Sequence, residues 1–323
     1  MNQRDFVIIY ATDTNYVPHM AASMLSAIET NKEEKITFVV LDNNIEKSEK
    51  RKLEELCESY GQKIEFVNVQ DKIENANLKT TFNKTAFARL FIGDIVETDK
   101  ALYLDCDTIV CGSLKSLFDI DLQENLIAGV QDTVSFKLRT IVGLEYEEPY
   151  VNSGVLLLNL KLWRANKIQN QFIECIDKFN GNVPHNDQGV INAVCHENAL
   201  ILDAKYNMQD TMLFYTAGQL KELFDMPTYY DSTQFEMDKK NPIIVHYTEA
   251  HFGRPWFSDS NHPYKEIYLK FRKKLVQYWP MPQERATTQK KLKRKIKQAM
   301  YKVLPFSCYK NILLMERKRK ETI

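Results

Sequence analysis

Asp105 and Asp107 stand two residues apart, where the apolar run Ala101-Leu102-Tyr103-Leu104 ends. Residues i and i+2 of a strand share one side, so both carboxylates can reach one small volume. Two like charges held there are unfavourable unless a cation sits between them. Hard oxygen ligands suit Mg²⁺ or Mn²⁺, and a metal held this way could grip a diphosphate. An isolated Asp-x-Asp is usually a solvated turn. The chemistry therefore depends on which other residues reach the same place.

Several segments offer partners. Ile243-Ile244-Val245-His246-Tyr247 is an apolar strand pattern ending in His, and Phe252-Gly253-Arg254-Pro255-Trp256 follows it. His246 as a third ligand would give two carboxylates and one imidazole, with positions left open for phosphate oxygens. His251 competes for that role, from a loop beyond the strand. Arg254 would add charge-assisted hydrogen bonds to the same diphosphate. Arg89 lies within Ala86-Phe87-Ala88-Arg89-Leu90. An apolar face accepts Arg when it is paired, or when its stem snorkels to water.

Asp13-Thr14-Asn15-Tyr16 follows the first strand pattern. Asp13 could accept the N3–H of a uracil and Tyr16 could stack on the base. Asp13 or Asn15 would serve equally as a cap before the helix at Pro18. In Tyr150-Val151-Asn152-Ser153-Gly154, Gly154 permits close backbone approach and Asn152 could bond a sugar hydroxyl. Asn186-Asp187-Gln188-Gly189 precedes a helix, so Asp187 reads as a site residue or a cap.

The elements that must position these residues are legible as alternation. Strands are predicted at 6–10, 36–41, 64–69 and 101–104, and helices at 18–30, 46–60 and 85–96. Leu53, Leu56, Cys57 and Tyr60 form one helical face. This order predicts a parallel, doubly wound sheet with helices on both faces, in which ligands bind at strand ends. Beyond the acidic pair the pattern is mixed. Strands are predicted at 126–130, 150–159, 199–202 and 243–247, helices at 161–179 and 187–197, and a loop-rich stretch at 209–240. No GxGxxG follows the first strand and no GxxxxGK[ST] occurs, which disfavours a dinucleotide-binding dehydrogenase and a P-loop NTPase.

The chain has 323 residues with 43 Lys+Arg and 43 Asp+Glu. The formal neutrality hides an asymmetry. Residues 284–323 carry 13 Lys/Arg against 3 Asp/Glu, a net of +10, and the remainder carries −10. Six scattered cysteines without a CxxC pair indicate free thiols in a reducing compartment. A strand pattern begins at Phe6 with no signal-peptide core, and no apolar run approaches a membrane span.

Taken together, Asp-x-Asn-Tyr, Phe-Ala-Arg-Leu, Tyr-Leu-Asp-x-Asp, Asn-x-Gly-Val-Leu-Leu-x-Asn-Leu, Asn-Asp-Gln and His-Tyr with Arg-Pro-Trp resemble glycosyltransferase family 8. The resemblance covers roughly residues 5–257. This is the family of bacterial lipopolysaccharide galactosyl- and glucosyltransferases, with glycogenin as a relative. It implies a GT-A fold, an α/β Rossmann-like mixed sheet. It also implies a retaining hexosyltransferase that uses UDP-glucose or UDP-galactose with Mn²⁺, Mg²⁺ being the alternative. By that resemblance Asp105, Asp107 and His246 bind the metal. Asp13, Asn15 and Tyr16 hold the uridine, with Ala11 beside them. Arg89, Asp105, Asn152 and Ser153 attend the donor sugar, and Gly253 and Arg254 the diphosphate. Asp132 and Asp187 orient hexose hydroxyls, and Gln188 lies beside the reacting carbon. One departure stands out. The family usually places Gly and then Lys closely after His-Tyr, whereas Thr248-Glu249-Ala250-His251-Phe252-Gly253-Arg254 has two extra residues and Arg for Lys.

The expected organisation is a catalytic domain over 1–257 and a basic helical segment over 258–323. Leu292, Ile296, Met300 and Val303-Leu304 recur at helical spacing among Lys and Arg until Pro305. A basic amphipathic helix reads as a contact with an anionic membrane surface rather than with nucleic acid. The expected location is cytoplasmic, peripheral on the inner face of the cytoplasmic membrane, with a glycan or lipid-linked glycan as acceptor. A self-glycosylating initiator like glycogenin and a non-catalytic sugar-nucleotide-binding relative are the alternatives.

Overall fold

The computed structural model describes residues 5–282 and 285–321, with side chains as far as Glu316. The sequence also carries a basic run, Arg317-Lys318-Arg319-Lys320, whose side chains lie outside the described residues. Among the described residues ten strands form two sheets: β1 (Asp5–Thr12), β2 (Lys35–Asp42), β3 (Lys63–Asn68), β4 (Lys100–Leu104), β5 (Thr108–Val110), β6 (Ile127–Gln131), β7 (Val151–Asn159), β8 (Ala199–Leu202), β9 (Met208–Gln209) and β10 (Ile244–His246). The larger sheet has the order β3-β2-β1-β4-β7-β6-β8, and the smaller one β5-β10-β9.

The chain leaves β1 for β2 and β3 on one side, then returns to β4 on the other, and all three of these pairings around β1 and β2 are parallel. Right-handed crossovers produce this arrangement, and the strand order reverses between β1 and β4. Ligands of open α/β sheets bind in the crevice at that point, beyond the carboxyl ends of the strands. Asp13 follows β1 and Asp105 follows β4, so the first turn and the acidic pair face one crevice. The sheet becomes mixed because β7 runs antiparallel to both β4 and β6. β7 is buried from Val151 to Leu158, as its unbroken apolar stretch requires for a strand covered on both faces.

Two apolar cores flank the sheet. The smaller carries Phe87, Leu90, Trp163, Phe172 and Ile191. The larger joins Tyr10, Met20, Phe38 and Leu104 to Trp256, Tyr268, Trp279, Tyr309 and Leu313, so residues after 257 share the core of the body. The helix Lys265–Lys274 lies against Val17–Thr30, with the Tyr268 hydroxyl 2.6 Å from His19 Nδ1. Burying one side chain such as Leu313 contributes about 1.5–3 kcal/mol.

Local differences from the expected elements have physical causes. The predicted helix 161–179 is two helices, Leu160–Ala165 and Ile168–Lys178, divided where Lys167 turns left-handed. The predicted helix 85–96 begins as a 3₁₀ stretch, Lys84–Phe91, and turns α-helical at Ile92–Ile95. The stretch expected to be loop-rich contains three short helices: Asp210–Phe214, Ala217–Leu223 and Ser232–Lys240. The middle one carries a reciprocal cap between Thr216 and Gln219. The C-terminal helices Thr288–Val303 and Phe306–Glu321 are separated at Pro305. Their apolar residues divide: Met300 and Leu304 pack on the body, while Leu292, Ile296 and Val303 face outward. Among the described residues no helix is long and apolar enough to cross a membrane.

Candidate active site

The acidic turn leaves β4 and re-enters the structure as β5. The Asp105 amide donates to Gly154 O of β7, and the Thr108 hydroxyl donates back to Asp105 O. β10 pairs antiparallel with β5, placing His246 opposite Thr108, and the Tyr247 amide donates to Asp107 O. These ladders bring Asp105, Asp107 and His246 together, each with a ligand atom within 4.8 Å of the others'. His246 Nε2 is 3.2 Å from Asp107 Oδ1 and 3.7 Å from Asp105 Oδ2. The backbone of β7 passes close behind: a Cβ on Gly154 would lie 2.3 Å from His246 Cε1 and 2.7 Å from Asp105 Oδ2. Only glycine fits there.

Hydrogen-bond direction fixes the imidazole. Asn152 Oδ1 accepts the Gly154 amide, so its Nδ2 is the donor that reaches Asp132 Oδ2 at 3.0 Å. The same Oδ1 accepts Asn207 Nδ2 at 2.8 Å, which leaves Asn207 Oδ1 as acceptor for His246 Nδ1–H at 3.0 Å. Burial lowers the His246 pKa despite the nearby Asp105, so the ring is neutral. Its Nε2 lone pair then faces two carboxylates. Three lone-pair atoms so placed repel unless a cation lies among them, and a hydrogen-bonded imidazole with two carboxylates is a fitting donor set for Mn²⁺ or Mg²⁺. The Arg254 guanidinium meets the same demand from the side. It donates to Asp107 Oδ2 and to Tyr247 O.

Arg89 is buried and paired, not snorkelling. Its Nη2 is 2.7 Å from Asp105 Oδ1, its Nε 3.2 Å from Asp187 Oδ2, and its Nη1 donates to Ser153 O at 2.7 Å. Tyr103 lies under the guanidinium at 4.4 Å, its hydroxyl donating to Asp105 Oδ1. Burial opposes the Arg89 charge, but Asp105 and Asp187 outweigh it and hold the guanidinium protonated. Burial pushes the Asp187 carboxyl above its ordinary range even with Arg89 beside it. Ser153 Oγ donates to Asp187, and the Ser153 amide and Asn152 Nδ2 both donate to Gln188 Oε1 at 3.1 Å. Gln188 Nε2 then donates to Asp132 Oδ2 at 2.8 Å. One network thus runs from Arg89 through Asp187, Ser153, Gln188, Asp132, Asn152 and Asn207 to His246.

A cavity of about 220 Å³ opens beside the acidic pair, lined by Ala11, Asp13, Tyr16, Asn83, Thr85, Arg89, Asp105, Asp107 and Arg254 among others. Asp13 is cap and cleft residue at once. One carboxylate oxygen accepts the Asn15 amide at 2.9 Å, and the residue lines the cavity. Asn15 itself is exposed and stands outside that lining. Gly253 also stands apart, packed against Arg294 of the C-terminal helix. His251 is not with the Asp105–Asp107–His246 cluster: its ring stacks on Phe214 at 4.3 Å. Cys106 donates to Ala11 O, and burial raises its thiol pKa to about 12.

Residues the sequence did not bring forward are Tyr103, Asn207, Tyr150 and His185. Tyr150 OH and Gln188 Nε2 both meet His185 Nδ1, at 2.9 and 3.3 Å. His185, the N-cap, and Asn186, the first residue of the helix Asn186–Cys195, both have positive φ, and Asp187 and Gln188 follow them as buried residues. A run of Asn, Met, Gln and Asp at 207–210 carries no period that would single out Asn207.

A doubly wound sheet with an Asp-x-Asp turn at its switch point and a strand-borne His facing it defines a GT-A transferase fold. The glycosyl transferase family 8 model matches residues 7–260, and the chain belongs to this family. General stress protein A of Bacillus subtilis is 26% identical over 272 residues, covering 82% of this chain and 92% of that protein. A putative glycosyltransferase of Haemophilus influenzae is 30% identical, covering 63% of each chain, so this chain spans under two thirds of that relative. The lipopolysaccharide 1,3-galactosyltransferase of Salmonella typhimurium is 28% identical over 276 residues, covering 82% and 77%. Among solved structures, the galactosyltransferase LgtC in complex with donor and acceptor sugar analogues superposes with a TM-score of 0.71. It is 23% identical and covers 83% of this chain and 96% of that one. The glycosyltransferase GlyE of Streptococcus pneumoniae superposes at 0.57 and 23% identity, covering 98% of this chain and 64% of that one. At these identities the two structures establish the fold.

Proposed function

We propose that the protein is a retaining hexosyltransferase that moves glucose or galactose from a UDP-sugar to a hydroxyl of a glycan or glycolipid acceptor in cell-surface polysaccharide synthesis. The single observation that carries this reading is the continuous network joining Arg89, Asp187, Gln188 and Asp132 to the Asp105–Asp107–His246 cluster. It supports the reading because polar groups suited to hexose hydroxyls adjoin groups suited to a metal diphosphate.

Asp105, Asp107 and His246 would hold Mn²⁺ or Mg²⁺, which when bound neutralises charge developing on the departing diphosphate. Arg254 turns from Asp107 to the diphosphate oxygens. Asp13 and Tyr16 receive the uridine at the end of β1. Asp132 and Asp187 accept from hexose hydroxyls, and Arg89 stays charged between Asp105 and Asp187. The bond from the anomeric carbon to the β-phosphate oxygen breaks, and the acceptor oxygen bonds the same carbon from the same face. The acceptor proton passes to an oxygen of the leaving phosphate. Gln188 is a poor nucleophile, and its Oε1 already accepts from Asn152 and Ser153. This supports same-face attack over a covalent intermediate of the kind retaining hydrolases form.

The C-terminal segment supports a contact with the inner face of the cytoplasmic membrane. Leu292, Ile296, Val303 and Met315 are exposed on helices rich in Lys. UDP-sugar hydrolysis across a donor panel with Mn²⁺ tests the central reading. Turnover of UDP-glucose or UDP-galactose is expected. Hydrolysis of neither, or a trapped adduct on Asp132 or Asp187, removes it.

A further inference from the structure

The C-terminal helix Thr288–Val303 meets the body at the segment that carries Arg254. Arg294 is 8% exposed, uncommon for one cation of a basic helix. Its guanidinium lies between two carboxylates, 3.4 Å from Glu249 Oε1 and 3.5 Å from Asp259 Oδ2. It also rests on the backbone of Gly253, where an added Cβ would lie 2.8 Å from its Cζ. Gly253 has φ +82°, so only glycine gives both the turn and the close approach. One turn further along the helix, Gln298 Nε2 donates to His251 O at 2.8 Å. Both ends of the 249–253 segment are therefore tied to one helix.

Glu249 is the joint. It holds φ +52°, a conformation costly for a non-glycine residue and kept only where surroundings enforce it. Its carboxylate collects Arg294 and Lys290 from the helix, and Arg254 Nε stands 3.9 Å from its Oε2. The segment between His246-Tyr247 and Arg254 thus provides a carboxylate that links Arg254 to the C-terminal helix. We infer that Arg294 is a positioning residue for donor binding: through Glu249 and Gly253 it holds the loop that aims Arg254 at the diphosphate. The C-terminal helix is then part of the donor site. This rests on the reading of Arg254 as a diphosphate ligand.

The test is binding of UDP and UMP to the full chain with Mn²⁺ by calorimetry, for Arg294→Met, Glu249→Gln and Arg254→Ala, each checked by thermal unfolding. UMP lacks the β-phosphate, so it reports the uridine pocket without the full diphosphate. Arg294→Met and Glu249→Gln are each expected to weaken UDP about tenfold, the order found when a group supporting a ligand is removed. UMP should change less than about twofold. Their double variant should lose no more than either alone, because the two act as a unit. Arg294→Lys should recover part of the loss. Equal losses for UMP and UDP would show general damage, and unchanged UDP affinity would show no positioning; either overturns the inference. If Arg254→Ala leaves UDP affinity intact, the diphosphate reading fails first and is seen to fail separately. Glu249→Gln keeps the test decisive if Arg294→Met does not fold.

Discussion

His246 Nδ1 is hydrogen-bonded to Asn207 Oδ1 at 3.0 Å, although 39 residues separate them in the chain. The bond sets the tautomer, because Asn207 is itself oriented by Asn152. It leaves Nε2 unprotonated toward Asp107. Groups behind a metal-bound imidazole fix its orientation, and removing them costs about 10–100-fold in metal affinity. Asn207→Leu is expected to weaken Mn²⁺ binding by about that factor while the protein remains folded. Isothermal titration of Mn²⁺ in the presence of UDP measures it. An unchanged affinity would remove Asn207 from the metal site.

Asp107 has no substitute. Asp105 is shared with Arg89 and Tyr103, whereas the Asp107 carboxylate meets His246 and Arg254. Asp107→Ala is expected to lower kcat by about 10²-fold or more, as loss of a preorganised stabilising group does. Donor turnover at saturating Mn²⁺ checks it. Near-normal turnover would exclude the metal role.

How much of this was legible in the sequence follows from the range of the forces involved. β1, β2 and β4 announce themselves as short apolar runs and β3 by its alternation, each next to a helix. The Asp105, Asp107 and His246 cluster was legible because an acidic pair and a His each follow such a run. Asn207 and Tyr103 were not: their roles depend on partners brought near by the sheets. The tail is the instructive case. Lys290, Lys293, Arg294 and Lys297 look alike as cations on a helix. Only packing against Gly253, Glu249 and Asp259 separates the buried Arg294 from exposed Lys290 and Lys293 and half-buried Lys297. The short helices within 209–240 hold too few turns for a period to be read.

Two buried imidazoles set an acid limit on stability. Burial lowers the His19 pKa to about 3, aided by Arg272 and Arg254. Burial likewise lowers His251 to about 4 against the pull of Asp210. Both are depressed below the unfolded value of about 6.5. Their stabilisation is therefore fully present above that pH and is lost as pH falls toward the folded values, because the unfolded chain binds the extra protons. Urea unfolding is expected to show a loss of about 4 kcal/mol between pH 7 and pH 5. His251→Phe should keep the stack on Phe214 and reduce that pH dependence by about half. The same loss in the variant would assign the titration elsewhere.

Gly154 is constrained by space. A methyl group there meets the His246 ring and the Asp105 carboxylate together, and the backbone of β7 cannot retreat because it is paired with β4 and β6. Gly154→Ala is expected to displace His246 and reduce kcat by about 10²-fold, comparable with losing a ligand. The large apolar core should keep the far-ultraviolet spectrum unchanged. Wild-type activity with normal Mn²⁺ affinity would show that the ring has room to move.

The outward face of the C-terminal helices makes a separate prediction. Lys293, Lys295 and Lys302 are exposed, and among the described residues the loop that carries Arg254 pairs with Lys290 and Arg294 instead. Exposed Leu292, Ile296 and Val303 lie among them. Each Lys near an anionic surface contributes about 1 kcal/mol to binding, an attraction that fades within a Debye length. Replacing all three by Glu should lower co-sedimentation with phosphatidylglycerol vesicles by on the order of 10²-fold or more in affinity. Raising the salt should weaken the unsubstituted protein in the same direction. UDP-sugar hydrolysis in solution should be unaffected, because Arg294 and Glu249 are untouched. Equal vesicle binding by both proteins would place the membrane contact elsewhere on the molecule.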